Sequence, residues 1–94
     1  MSNIKSFSRS VRQELNRISM QIKQLDFKII RLRGFLRKRL RSEIRELKRM
    51  KDAILHKLSR LTKETRLHLP TMQEIRNDIE MLNNSCRQFK IQHF

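Results

Sequence analysis

Apolar residues return at helical spacing along most of this chain. Ile4, Phe7, Val11, Leu15, Ile18, Ile22, Leu25, Ile29, Leu32 and Leu36 form one unbroken series. From Leu15 the steps alternate three and four, the spacing of helices that pack along a seam. After Leu36 the steps run four, four, three through Leu40, Ile44 and Leu47, a stutter that locally unwinds a coiled coil. The series resumes at Met50, Ile54, Leu58 and Leu61 and fades near Thr65 and His68.

Gly34 is the only breaker inside that stretch. A glycine in a helix interior costs about 1 kcal/mol relative to alanine, which weakens a helix without ending it. No Pro, Asn or Asp stands beside it to build a turn, and the series crosses it without losing phase. The pattern therefore predicts one long helix from about Ile4 to about Leu67, with a hairpin bent at Gly34 as the rival arrangement. A box at Ser10-Val11-Arg12-Gln13 gives an alternative start that leaves residues 1–9 as an arm.

Pro70 disfavours helical geometry in the residue before it, so the first helix is expected to stop by Leu69. Thr71-Met72-Gln73-Glu74 then reads as a capping box. It opens a short second helix over 72–90 with the stripe Met72, Ile75, Ile79, Leu82, Cys86 and Phe89. The brief turn at 68–71 predicts antiparallel neighbours, and 91–94 is expected to be a frayed tail. The fold class is thus all-α, a single elongated coiled-coil or hairpin domain. Turn residues are too scarce for a sheet protein, with one Gly and one Pro in 94 residues.

Two helices of this kind cannot enclose a core by themselves. A partner helix is implied, most simply from a second copy in a homodimer. The expected packing seam comprises Ile18, Ile22, Leu25, Ile29, Leu32, Leu36, Leu40, Leu47, Ile54, Leu58, Leu61, Ile75, Ile79 and Leu82.

Charge changes this picture. Lys and Arg number 23 against 9 Asp and Glu, a formal net charge of +14. Such an excess repels itself in a compact chain, and a polyanion relieves it. The cations are densest from Arg31 to Lys51, where the apolar stripe persists. Projected at 100° per residue from Leu36, the cations Arg31, Arg37, Lys38, Arg41, Arg45, Lys48 and Arg49 fall between about 100° and 220°, opposite the seam. Glu43 and Glu46 fall off this strip. Arginine's planar fork matches phosphate oxygens, and a row of cations suits the closely spaced charges of a duplex. The strip predicts a nucleic-acid partner held through its phosphate backbone without base specificity. Double-stranded RNA is favoured and DNA is the second choice, since duplex RNA is read mostly by shape. In outline the chain resembles small viral proteins that bind double-stranded RNA; that likeness is of general design and rests on no motif. The alternative is a structural or adaptor coiled coil that joins another protein in a larger assembly.

Other chemistry finds little footing. His56, His68 and His93 are not spaced as a helical metal pair, so no metal or cofactor is expected. There is no Gly-rich phosphate loop and no nucleophile beside a base, so an enzyme is not expected. Cys86 lies on the apolar stripe and reads as a small hydrophobe, with an intermolecular disulfide as the minor alternative. A lone cysteine fits a reducing intracellular compartment, cytoplasm or nucleus. The acid-free, Ser- and Arg-containing start also has the character of a mitochondrial leader, a lesser reading. No apolar run is long enough to span a bilayer, and a membrane-surface role is disfavoured by the narrow stripe and the lack of Trp.

Overall fold

The computed structural model describes residues 3–63 and 68–94. It is all-α, with α1 at Asn3–Ile29, α2 at Phe35–Lys63 and α3 at Leu69–His93. The predicted continuous helix is divided. Arg31 N–H donates to the Lys28 carbonyl at 3.4 Å and Leu32 N–H to the Ile29 carbonyl at 3.0 Å, a tight turn that closes α1. Gly34 then takes φ +74, and its carbonyl accepts from Lys38 N–H at 3.4 Å as α2 begins. Left-handed geometry costs an L-residue roughly 1–2 kcal/mol, and only glycine adopts it routinely. Nothing lies within 4 Å of where a Cβ would stand, so the restriction at Gly34 is one of backbone and not of space. Gly34→Ala is therefore expected to lower stability by about 1–2 kcal/mol, and Gly34→Asn by less, as read from urea midpoints.

The hinge changes the consequence of the apolar stripe. α2 runs back along α1, and α3 lies beside both, parallel to α1. Arg76 stands over the Phe7 ring at one end, and Lys28 over the Phe94 ring at the other. The bundle measures 52 × 17 × 16 Å. Phe7, Val11, Leu15, Ile18, Ile22, Leu25 and Ile29 of α1 meet Leu40, Ile44, Leu47, Ile54, Leu58 and Leu61 of α2 and Ile75, Ile79, Leu82, Cys86 and Phe89 of α3 in one buried cluster. Three helices enclose what two could not, so the argument for a partner helix lapses. Twelve of the fourteen expected seam residues are buried in this single chain. Leu32 is half-buried under the hinge, and Leu36 is 48% exposed. Leu36 keeps its phase with Leu40 and Ile54 but stands in the first turn of α2, at the open hinge end of the bundle, and so stays exposed.

The termini of the helices also differ from expectation. α1 begins at Asn3, ahead of the Ser10 box, so residues 3–9 are helical. α3 begins at Leu69, three residues before Met72, with Pro70 inside its first turn, where its missing N–H costs nothing. The cap is His68, not Thr71. Its Nδ1 accepts the Thr71 N–H at 3.3 Å and pairs with the Thr71 hydroxyl. The expected end of the first helix near Leu67 lies outside the described residues. At the other end α3 continues to His93, where a frayed tail was expected, and the Phe94 N–H closes on the Lys90 carbonyl at 2.8 Å.

A clamp ties α2 to α3. Lys57 Nζ lies 2.7 Å from Glu74 Oε1 and 2.6 Å from Asp78 Oδ2. The hydrogen bond to Asp78, then that to Glu74, holds the ammonium above the ordinary lysine value of 10.5, against a smaller opposing effect of burial. A pKa raised on folding contributes fully below the unfolded value and is lost as pH climbs through the native one. Solvent screens this half-exposed clamp, which limits it to about 0.5–1 kcal/mol. Thermal midpoints are expected to fall above roughly pH 10.5, and to fall less in Lys57→Met.

Candidate nucleic-acid interface

The inner face of α2 is set by Leu40, Ile44, Leu47, Ile54, Leu58 and Leu61. Helical periodicity then leaves the opposite face to the cations. Lys38, Arg41, Arg45, Lys48 and Arg49 are exposed there, and Arg37 is half-buried at its edge. From Arg37 to Arg49 this face is roughly 18 Å long. Arg31 is exposed but sits in the hinge turn, not on the helix, so its projected place in the strip is corrected.

Two members are partly neutralised. Lys48 Nζ lies 3.4 Å from Asp26 Oδ2 of α1, and Arg49 Nη1 lies 3.2 Å from Glu46 Oε2 one turn earlier. Exposed pairs of this kind are worth about 0–1 kcal/mol and yield readily to a stronger anion. Arg31, Arg37, Lys38, Arg41 and Arg45 form no salt bridge among the described residues.

The hinge brings in cations that the projection left out. Drawn on one continuous helix, Arg33 and Arg39 both fall on the seam side, about 60° to either side of Leu36. Both are exposed at the end of the bundle, as is Lys28. They belong to a run from Phe27 to Ser42 that contains no acid. The signal that could have found them is that acid-free run itself, which does not depend on helical phase. The backbone adds to the same field. The first turn of α2 carries no acidic residue, so the partial positive charge of the helix start stands unopposed among these side chains.

Glu43 joins α2 to the end of α3. Glu43 Oε2 stands 3.2 Å from His93 Nε2, close enough for an ion pair though not aligned as a hydrogen bond. His68 caps α3, and His56 is exposed. Among the described residues no group of three or more His, Cys, Asp or Glu side chains is placed to hold a metal. Cys86 is 3% exposed, and burial pushes its thiol above the ordinary range. An intermolecular disulfide there would require the core to open. No helix among the described residues is long and apolar enough to cross a membrane. Compared with known proteins, the chain matches no family model, no curated protein and no solved structure.

Proposed function

We propose that this bundle binds duplex nucleic acid, RNA before DNA, through the phosphate backbone and without base specificity. The observation that carries this reading is the outer face of α2. Cations line it opposite the core, and among the described residues Arg37, Lys38, Arg41 and Arg45 of this face, with Arg31 in the hinge turn, form no salt bridge. Arginine supplies most of that charge, and its fork suits phosphate oxygens better than a point charge does. The reading needs no second copy, since one chain presents the whole face. The adaptor alternative drew its partner helix from the apolar seam. With that seam buried inside the chain, the alternative loses its main support.

The test is a gel-shift titration of the full chain against duplex RNA, duplex DNA and single strands at two salt concentrations. Binding to duplexes of unrelated sequence is expected at similar affinity. With about five to seven phosphates engaged, the logarithm of affinity should fall against the logarithm of salt with a slope of roughly −4.5 to −6. Affinity that ignores salt, or the absence of duplex binding at low salt, sinks the proposal.

A further inference from the structure

The hinge end of the bundle exposes bulky apolar side chains that the core does not use. Phe35, the first residue of α2, is 82% exposed, and Ile30 and Leu36 beside it are 54% and 48% exposed. Exposure of this size at one tip calls for an occupant. The charge around it restricts what that occupant is. Arg31, Arg33, Lys38 and Arg39 are all exposed within four residues of Phe35, and the nearest acids in sequence are Asp26 and Glu43. On α2, Phe35 projects about 40° beyond the edge of the cationic face, so ring and cations address one surface.

Three kinds of partner combine apolar surface with anions. A protein pocket seldom carries so many carboxylates at its rim, because each needs its own neutralisation when buried. A bilayer interface supplies both features, but its charge is confined to a thin layer. Here the cations continue down α2 to Arg45, roughly 15 Å beyond Phe35 along the axis, past the reach of a surface that meets the hinge tip and is screened over about 10 Å. A polyphosphate running along the helix meets both ends of this surface. Its bases offer apolar faces between phosphates, and bulky side chains flanked by Arg and Lys are the residues that enter base steps.

We propose that Phe35 is a stacking wedge, which occupies a gap in the base stack of the nucleic acid held by α2. The preferred ligand is then a duplex with a bulge, mismatch or unpaired end, where the cost of unstacking is already met. This inference rests on the nucleic-acid reading above and adds the class of site that is preferred.

The test compares a fully paired duplex RNA with the same duplex carrying a single-nucleotide bulge beside 2-aminopurine. The wild-type chain is expected to favour the bulged duplex by about 5- to 100-fold and to change the 2-aminopurine emission. Phe35→Ala should abolish that preference and the emission change while keeping its affinity for the paired duplex. Phe35→Trp should keep both and, because the chain contains no other Trp, report stacking through its own quenching. Equal binding of the two duplexes by wild type overturns the wedge and leaves the backbone reading intact. Retention of the preference in Phe35→Ala also overturns it. Failure to bind either duplex overturns both proposals. Phe35-dependent partition onto phosphatidylserine vesicles without any bulge preference replaces the wedge with a lipid-facing tip.

Discussion

Replacing Arg37, Arg41 and Arg45 together by Ala is expected to weaken duplex binding by about two to three orders of magnitude near 0.1 M salt, uniformly across sequences. The size follows from counterion release. Each phosphate no longer engaged removes about 0.9 from the salt slope, so losing three flattens it by roughly 2.7. The fold should survive, because Arg41 and Arg45 are exposed and Arg37 is only half-buried at the edge of the core. Among the described residues, none of the three holds an ion pair whose loss would strand a carboxylate. Circular dichroism separates the two effects, and unchanged affinity in a folded triple variant eliminates the assigned face. Lys48→Ala is a useful contrast. It also frees Asp26, so it both deletes a cation and exposes an acid.

The second large effect falls on stability. Leu58 is fully buried, at 0% exposure, in the C-terminal part of α2, within the one core that all three helices share. Leu58→Ala removes buried methyl groups and leaves a cavity that rigid helices close only in part. The expected loss is about 2–5 kcal/mol. Small domains hold only about 5–15 kcal/mol in total, so the urea midpoint should drop sharply with little change in slope. Leu36→Ala provides the comparison. Both leucines belong to the same apolar series, yet Leu36 is 48% exposed and its truncation should cost less than about 0.5 kcal/mol. If the two variants lost stability equally, the hinge as described would be wrong, since a continuous seam would bury both.

That contrast shows what was legible in the sequence. The three-and-four spacing identified nearly every core position, because burial of an amphipathic helix depends on period and not on topology. The spacing leaves topology between two arrangements, a continuous helix and a hairpin bent at Gly34, and favours the continuous helix. A lone glycine in phase with the stripe carries no sign that its backbone is left-handed, and the propensity cost of about 1 kcal/mol is the same for a tolerated glycine and for a hinge. The clue lay in burial: a helix spanning 4–67 and one short helix cannot bury so long a seam within one chain, whereas a hinge at Gly34 allows it. The start of α3 was misread for a related reason. Pro70 signals either the end of one helix or the first turn of the next, and the Thr71 box pulled the boundary forward while His68 was already in position to cap. On the candidate interface, the cations of α2 were found by projection. Arg33 was missed because the projection assumed a straight rod, and Arg39 because it projects about 60° from Leu36, on the seam side of α2, where only its place at the open end of the bundle leaves it exposed. Phe27 and Phe35 lie off the stripe, which suggests a second packing surface within the fold, but they are 69% and 82% exposed.

None of the three helices has an acidic residue in its first turn. Each backbone dipole therefore begins without a carboxylate to offset it, on a chain whose formal net charge is +14. Added electrolyte should then shield repulsion within the fold more than it weakens its few ion pairs, so the melting temperature is expected to rise between low and moderate ionic strength. The same change loosens any grip on phosphate. Opposite responses of melting and affinity to potassium chloride would thus tell dissociation from denaturation, and a melting temperature that fell with salt would mean that the ion pairs outweigh the crowding of like charges.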